Sequence, residues 1–279
     1  MLLVRLASKP ERIPRFGRIL SDAPTVVELL DGDPLAGHAE PTGERLPYTP
    51  DEWQADPDGS TIELLTPMVP QKIVGVGSNY RNHAKEMGKP IPAEPLIFLK
   101  PPSALLAPGR AIERPEGFER CDYEGELAVV IGRRLYRQPP TAVESHILGY
   151  TALNDVTVRD LQKRDGQFTR AKGFDTFCPL GPAVATDFDL ADMRVQTRLN
   201  GKLVQDSAGD ELIFSVYELL SFISHVMTLE PGDVVTTGTP MGVGNLEPGD
   251  VVEIQIAGIG TLRNPVVAGL RLPKLREPG

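Results

Sequence analysis

The stretch CDYEGELAVVIG, Cys121 to Gly132, sets Asp122, Glu124 and Glu126 directly before the apolar run Leu127, Ala128, Val129, Val130 and Ile131. Side chains alternate faces along a strand, so the three acids share one side and converge on one point. The run behind them predicts burial, and an unpaired buried carboxylate costs on the order of several kcal/mol. Such a cluster calls for a cation.

Outward from this stretch, the chain is dense in short β-rich runs: KIVGVG, PLIFLK, ILGYTAL, VQTRLNGKLV, DVVTTG and VVEIQIAGIGTL. Enrichment in Val and Ile between closely spaced turns predicts a β-rich α+β fold of barrel or folded-roll type. Two helices stand out, NYRNHAKEMG and IFSVYELLSFISHVM, the second with apolar spacing near 3.6. Residues 1–66 read as a small N-terminal accessory β unit with turns such as DGDPLAG. A proline-punctuated link, TPMVP, leads to a larger catalytic unit over 70–279. LEPGDVV occurs at Leu229 and again at Leu246, each copy a Pro-Gly turn feeding a strand.

With 279 residues, 41% hydrophobic and 24% charged, the chain suits one large soluble domain, or one carrying a smaller companion. The net charge of -9 argues against a nucleic-acid footprint. Cys121 and Cys178 are the only cysteines and lie in no metal-ligand spacing, which excludes a disulfide scaffold. The apolar start MLLV is too short for a signal peptide or a membrane span, so a cytoplasmic protein is expected.

Glu124 and Glu126 offer oxygen ligands to a hard cation, Mg2+, Mn2+ or Ca2+; the competing reading is an edge strand of solvated acids. Asp155 is either a third ligand or the N-cap of a helix on which Asp155, Arg159 and Gln162 share one side. His83 and Glu86, spaced i and i+3, form either a general-base pair or a solvated surface pair. Lys172 is either a substrate contact or surface. TGTPMGVG offers hydroxyls and glycine N–H groups suited to a carboxylate. GVGSNY lacks the third glycine of a dinucleotide fingerprint, and Cys178 has no neighbouring base to make it a nucleophile.

Taken in order, KIVGVGSNYRNHAKEMG, PLIFLKPPSALL, DYEGELAVVIG, GYTALNDVTVRDLQ, AKGFDTFCPLGP and VVTTGTPMGVG resemble the fumarylacetoacetate hydrolase family across about residues 70 to 265. The resemblance implies a mixed β-roll, commonly a homodimer, with an accessory domain ahead of it. It implies Glu124, Glu126 and Asp155 as ligands of Mg2+ or Mn2+, and His83 with Glu86 as a catalytic dyad on a lid helix. Lys172 would stabilise developing negative charge, Arg159 and Gln162 would contact substrate, and Thr239 would hold its carboxylate. The substrate implied is a 2-oxo acid whose enolate leaves or is reprotonated. Hydrolysis of an acylpyruvate or decarboxylation of oxaloacetate is the leading expectation. Isomerisation or hydration of 2-hydroxy-diene-dioates is the alternative, and an inert binder that keeps the fold is a remote third.

Overall fold

The run Leu127 to Ile131 is apolar at every position because both faces of its strand, Gly125–Ile131, are covered. Leu127, Val129 and Ile131 pack into one core cluster with Leu219, Leu220 and Ile223 of the amphipathic helix Val216–Val226. Ala128 and Val130 point the other way, into a second cluster with Leu3, Ile73, Leu153 and Val184. A strand buried on both sides loses the alternating pattern of a half-exposed one. Each such Leu, Val or Ile contributes about 1.5–3 kcal/mol of burial.

The computed structural model describes residues 1–273 apart from 21, 22, 87 and 89. Gly125–Ile131 pairs antiparallel with Ile147–Asn154 on one side and Val234–Thr236 on the other. The latter lies parallel to Ile73–Gly77, whose outer neighbour is Leu96–Lys100. In the opposite direction Ile147–Asn154 pairs with Cys178–Ala185, and that strand with Leu2–Ser8. Strands Pro14–Leu20, Ala23–Leu30 and Pro41–Pro47 then extend the same sheet. The N-terminal strands are therefore hydrogen-bonded to the main sheet.

A five-stranded sheet packs over this one, in the order Lys202–Ala208, Arg194–Leu199, Val251–Ile256, Gly260–Arg271 and Ile112–Glu116. VQTRLNGKLV divides into a hairpin at Asn200 and Gly201, both at positive φ, as a two-residue turn of this kind requires. Together the sheets form the β-rich mixed roll that the sequence predicts. No helix among the described residues is long and apolar enough to cross a membrane.

Both LEPGDVV copies adopt one turn. Gly232 and Gly249 sit at positive φ, and Asp233 and Asp250 each accept the N–H of the Glu three residues earlier at 2.7 Å. Their settings differ, since Asp233 is fully buried, accepts the Lys72 N–H at 3.0 Å and is ion-paired to the Lys72 ammonium. Asp233→Ala leaves those donors without an acceptor and should cost about 3 kcal/mol by denaturant titration, with Asp250→Ala costing about 1 kcal/mol. Equal losses would show that the Lys72 contacts contribute nothing.

Candidate active site

The chain changes sheets at Glu124. Cys121–Tyr123 belongs to a small sheet with Thr157–Val158 and Gly244–Asn245, and Gly125 begins the central strand. Glu124 stands at that break, where its N–H donates to Asn154 Oδ1 at 2.9 Å and its carbonyl accepts the Asp155 N–H at 2.9 Å. The pairing of Gly125 with Asn154 thus brings Asp155 beside the two glutamates. Oxygens of Glu124, Glu126 and Asp155 all lie within 4.8 Å of one another, and all three residues are buried.

Two expectations need correction. Asp122 does not join the trio, because the sheet switch turns it to Arg120 Nε and Arg159 Nε, each at 2.8 Å. Asp155 caps no helix and shares no helical side with Arg159. The helix runs Arg159–Asp165 behind Val158, and the short strand Thr157–Val158 separates it from Asp155. Arg159 and Gln162 do meet, with Nη1 donating to Gln162 Oε1 at 3.0 Å, while Nη2 pairs with Glu124. The segment NYRNHAKEMG forms a helix over Arg81–Glu86; Met87, within the span predicted as helical, lies outside the described residues.

Three buried cations face the acids. Lys172 Nζ lies 2.8 Å from Glu124 Oε2, 2.5 Å from Asp155 Oδ2 and 4.8 Å from the centre of the Phe98 ring. Lys100 Nζ lies 2.6 Å from Asp155 Oδ1, and Arg159 bridges Asp122 and Glu124. Burial alone would raise the Glu124 carboxyl, but Arg159 and Lys172 outweigh it and hold the group well below the carboxylate range. The same opposition acts on Lys172, which burial would lower and which Asp155 and Glu124 keep raised.

Glu126 is the exception. It accepts the Gly238 N–H at 2.9 Å, yet among the described residues it has no Lys, Arg or His in an ion pair. Burial, then the charges of Asp155 and Glu124, push its carboxyl well above the ordinary range. An all-oxygen trio with one member lacking a counter-charge fits a hard divalent ion.

His83, Arg159, Gln162, Lys172, Thr239, Glu124 and Glu126 line one cavity of about 40 Å³, walled opposite by Leu96, Phe98 and Phe168. His83 Nδ1 lies 3.1 Å from Glu86 Oε2, and Glu86 also accepts the Gly242 N–H at 3.1 Å. TGTPMGVG therefore spends two of its N–H groups, those of Gly238 and Gly242, on the protein's own carboxylates. The Thr239 hydroxyl donates to Gly125 O at 3.0 Å and accepts from Gln205 Nε2 at 2.8 Å. Burial drives the Cys178 thiol up to about 12, consistent with an inert core residue.

Two site residues escaped the sequence reading. Lys100 closes the strand of PLIFLK, and a lysine ending so apolar a run was the available sign. Gln205 lies in an ordinary edge strand, where it bonds Gly125 N–H at 3.0 Å and Pro240 O at 2.9 Å. Nothing in its neighbours marks it.

A strand-rich roll carrying buried acids beneath a His–Glu pair defines a class of enzyme, and the matches agree. Residues 72–267 match the model of the fumarylacetoacetate (FAA) hydrolase C-terminal domain. The chain belongs to the fumarylacetoacetate hydrolase family and is an enzyme of that family. It is 53% identical to a protein of Archaeoglobus fulgidus over 75% of this chain and 83% of that one. It is 39% identical to the oxaloacetate tautomerase YisK of Bacillus subtilis over 85% and 84%. The solved 5-carboxymethyl-2-hydroxymuconate delta-isomerase of Mycobacterium smegmatis superposes with a TM-score of 0.84 at 42% identity, covering 98% of this chain and 100% of that one.

A buried acid with a raised folded-state pKa stabilises below its unfolded pKa, and that contribution is lost as pH rises through the folded one. Metal-free protein should therefore lose stability above the ordinary carboxylate range as Glu126 is forced to ionise, and Glu126→Gln should flatten that decline in melting temperature. An unchanged slope in the variant would assign the decline elsewhere.

Proposed function

We propose that this enzyme binds Mg2+ or Mn2+ at Glu124, Glu126 and Asp155 and moves a proton on a 2-oxo dicarboxylate, interconverting the keto and enol forms of oxaloacetate or a close analogue. The observation that carries this reading is that Glu124 and Glu126 line one small cavity with His83, with a carboxylate oxygen of Asp155 within 4.8 Å of theirs. The names of two relatives, an oxaloacetate tautomerase and a hydroxymuconate isomerase, support it, since both describe relocation of a proton without cleavage of a carbon–carbon bond.

A divalent ion held there would polarise the 1-carboxylate and 2-oxo oxygens of the substrate and so favour its enolate. Lys172 adds positive charge at the same wall as negative charge develops. Glu86 accepts Nδ1–H of His83, which leaves Nε2 to remove the proton from carbon 3. The same proton, passed from the imidazolium to the 2-oxo oxygen, completes the enol and restores the neutral imidazole, and no other reactant is consumed. Arg159 bonds through Nε and once through each terminal nitrogen, so its guanidinium keeps two N–H groups for substrate. Gln162 extends that contact, and the Thr239 segment receives the carboxylate. Phe98 and Phe168, edge to face at 5.4 Å, limit water at the other wall. A homodimeric cytoplasmic protein with residues 1–66 as an accessory unit completes the reading.

A second reading is that the same enolate forms by hydrolysis of an acylpyruvate or by decarboxylation of oxaloacetate. The Glu86-oriented imidazole favours it, because that pairing also suits proton removal from water.

Loss of enol-oxaloacetate absorbance should accelerate with Mg2+ or Mn2+ and enzyme, without pyruvate forming in step. Pyruvate released in step would make the enzyme a decarboxylase, and acetate from acetylpyruvate a hydrolase. Turnover of a 2-hydroxy-diene-dioate alone would make it a catabolic isomerase, and silence on all of them would overturn the proposal. His83→Ala should lower kcat about 10²-fold or more while oxalate and metal binding persist by calorimetry. Full activity in that variant would move the base elsewhere.

A further inference from the structure

Two lysines grip opposite oxygens of Asp155, Lys100 at Oδ1 and Lys172 at Oδ2. Their settings differ. Lys172 lines the cavity, so an entering ligand can draw it away from the carboxylates. The Lys100 side chain is wholly buried outside the cavity lining, and among the described residues its only further partner is Val156 O, at 3.5 Å. An ammonium without access to water stays with its carboxylate.

The charge of the centre gives this pairing a consequence. Glu124, Glu126 and Asp155 bring three negative charges, one more than a divalent ion offsets. A centre left negative repels an anionic ligand. Arg159 is divided between Asp122 and Glu124, and Lys172 is divided between Glu124 and Asp155 and faces the cavity, so neither is dedicated to Asp155.

We propose that Lys100 is a fixed counter-charge to Asp155. It holds that carboxylate to one free oxygen and cancels its charge, so that the metal-loaded centre accepts an anionic substrate. The role rests on the metal assignment made above. Lys100, outside the cavity lining, would touch neither ion nor substrate and is a positioning residue.

Calorimetry with Mg2+ or Mn2+ alone, and then with oxalate added to the metal-loaded protein, separates this role from simple structural support. In Lys100→Met and in Lys100→Gln, which keeps a donor for Asp155, metal affinity should rise about tenfold and oxalate affinity fall about tenfold. A merely structural lysine would weaken both. Both affinities falling, or neither moving, would overturn the counter-charge. If neither variant folds, with or without metal, Lys100 belongs to the core alone and the proposal also fails. Failure of the wild-type protein to take up either ion is a distinct result, which removes the metal assignment and this role with it.

Discussion

Everything at this site follows from the burial of four carboxylates, Asp122, Glu124, Glu126 and Asp155, where two sheets part. Ionised carboxylates are tolerated there only with compensation, and most of the compensation is in place. Arg159 joins Asp122 to Glu124, while Lys100 and Lys172 hold Asp155 from both sides. Among the described residues Glu126 alone of the four has no ion-pair partner, and burial with the repulsion of Asp155 and Glu124 outweighs the help of the Thr236 hydroxyl and the Lys172 charge. Charge bookkeeping thus singles out one position, and the trio of oxygens around it defines a place for a hard ion.

Architecture makes the cluster possible. The central strand, sheltered on both faces, fixes Glu126, and the sheet switch just before it swings Asp122 to Arg120 and Arg159. Antiparallel register then fixes Asp155, because Gly125 opposite Asn154 leaves the next residue alongside Glu124. Gln205, reaching across from the second sheet, ties Gly125 to Thr239 and Pro240 and so joins the acid side of the cavity to the Thr239 loop. Glu126 lies in the central strand, Glu124 and Asp155 sit directly at strand ends, and a six-residue helix carries His83 and Glu86.

Much of this was legible in the sequence. The acid-then-apolar order of CDYEGELAVVIG carried the central strand, and the His83–Glu86 spacing carried a pair that does meet in space. What spacing alone misplaced were Asp122 and Asp155, since a strand that changes sheets and a two-residue strand before a helix leave no mark in periodicity. Lys100 and Gln205 were passed over for another reason: their roles depend on partners 55 and 34 residues away in the chain, respectively. Long-range register, which sequence patterns do not encode, decides those contacts.

The proposed cation would sit at the trio, beside the acid that has no ion-pair partner among the described residues. The most direct test is a crystal grown or soaked with Mn2+ and measured at a wavelength sensitive to manganese. A single anomalous peak between Glu124, Glu126 and Asp155 is the predicted result. A trio left empty at saturating Mn2+, or a peak on other residues, would contradict it.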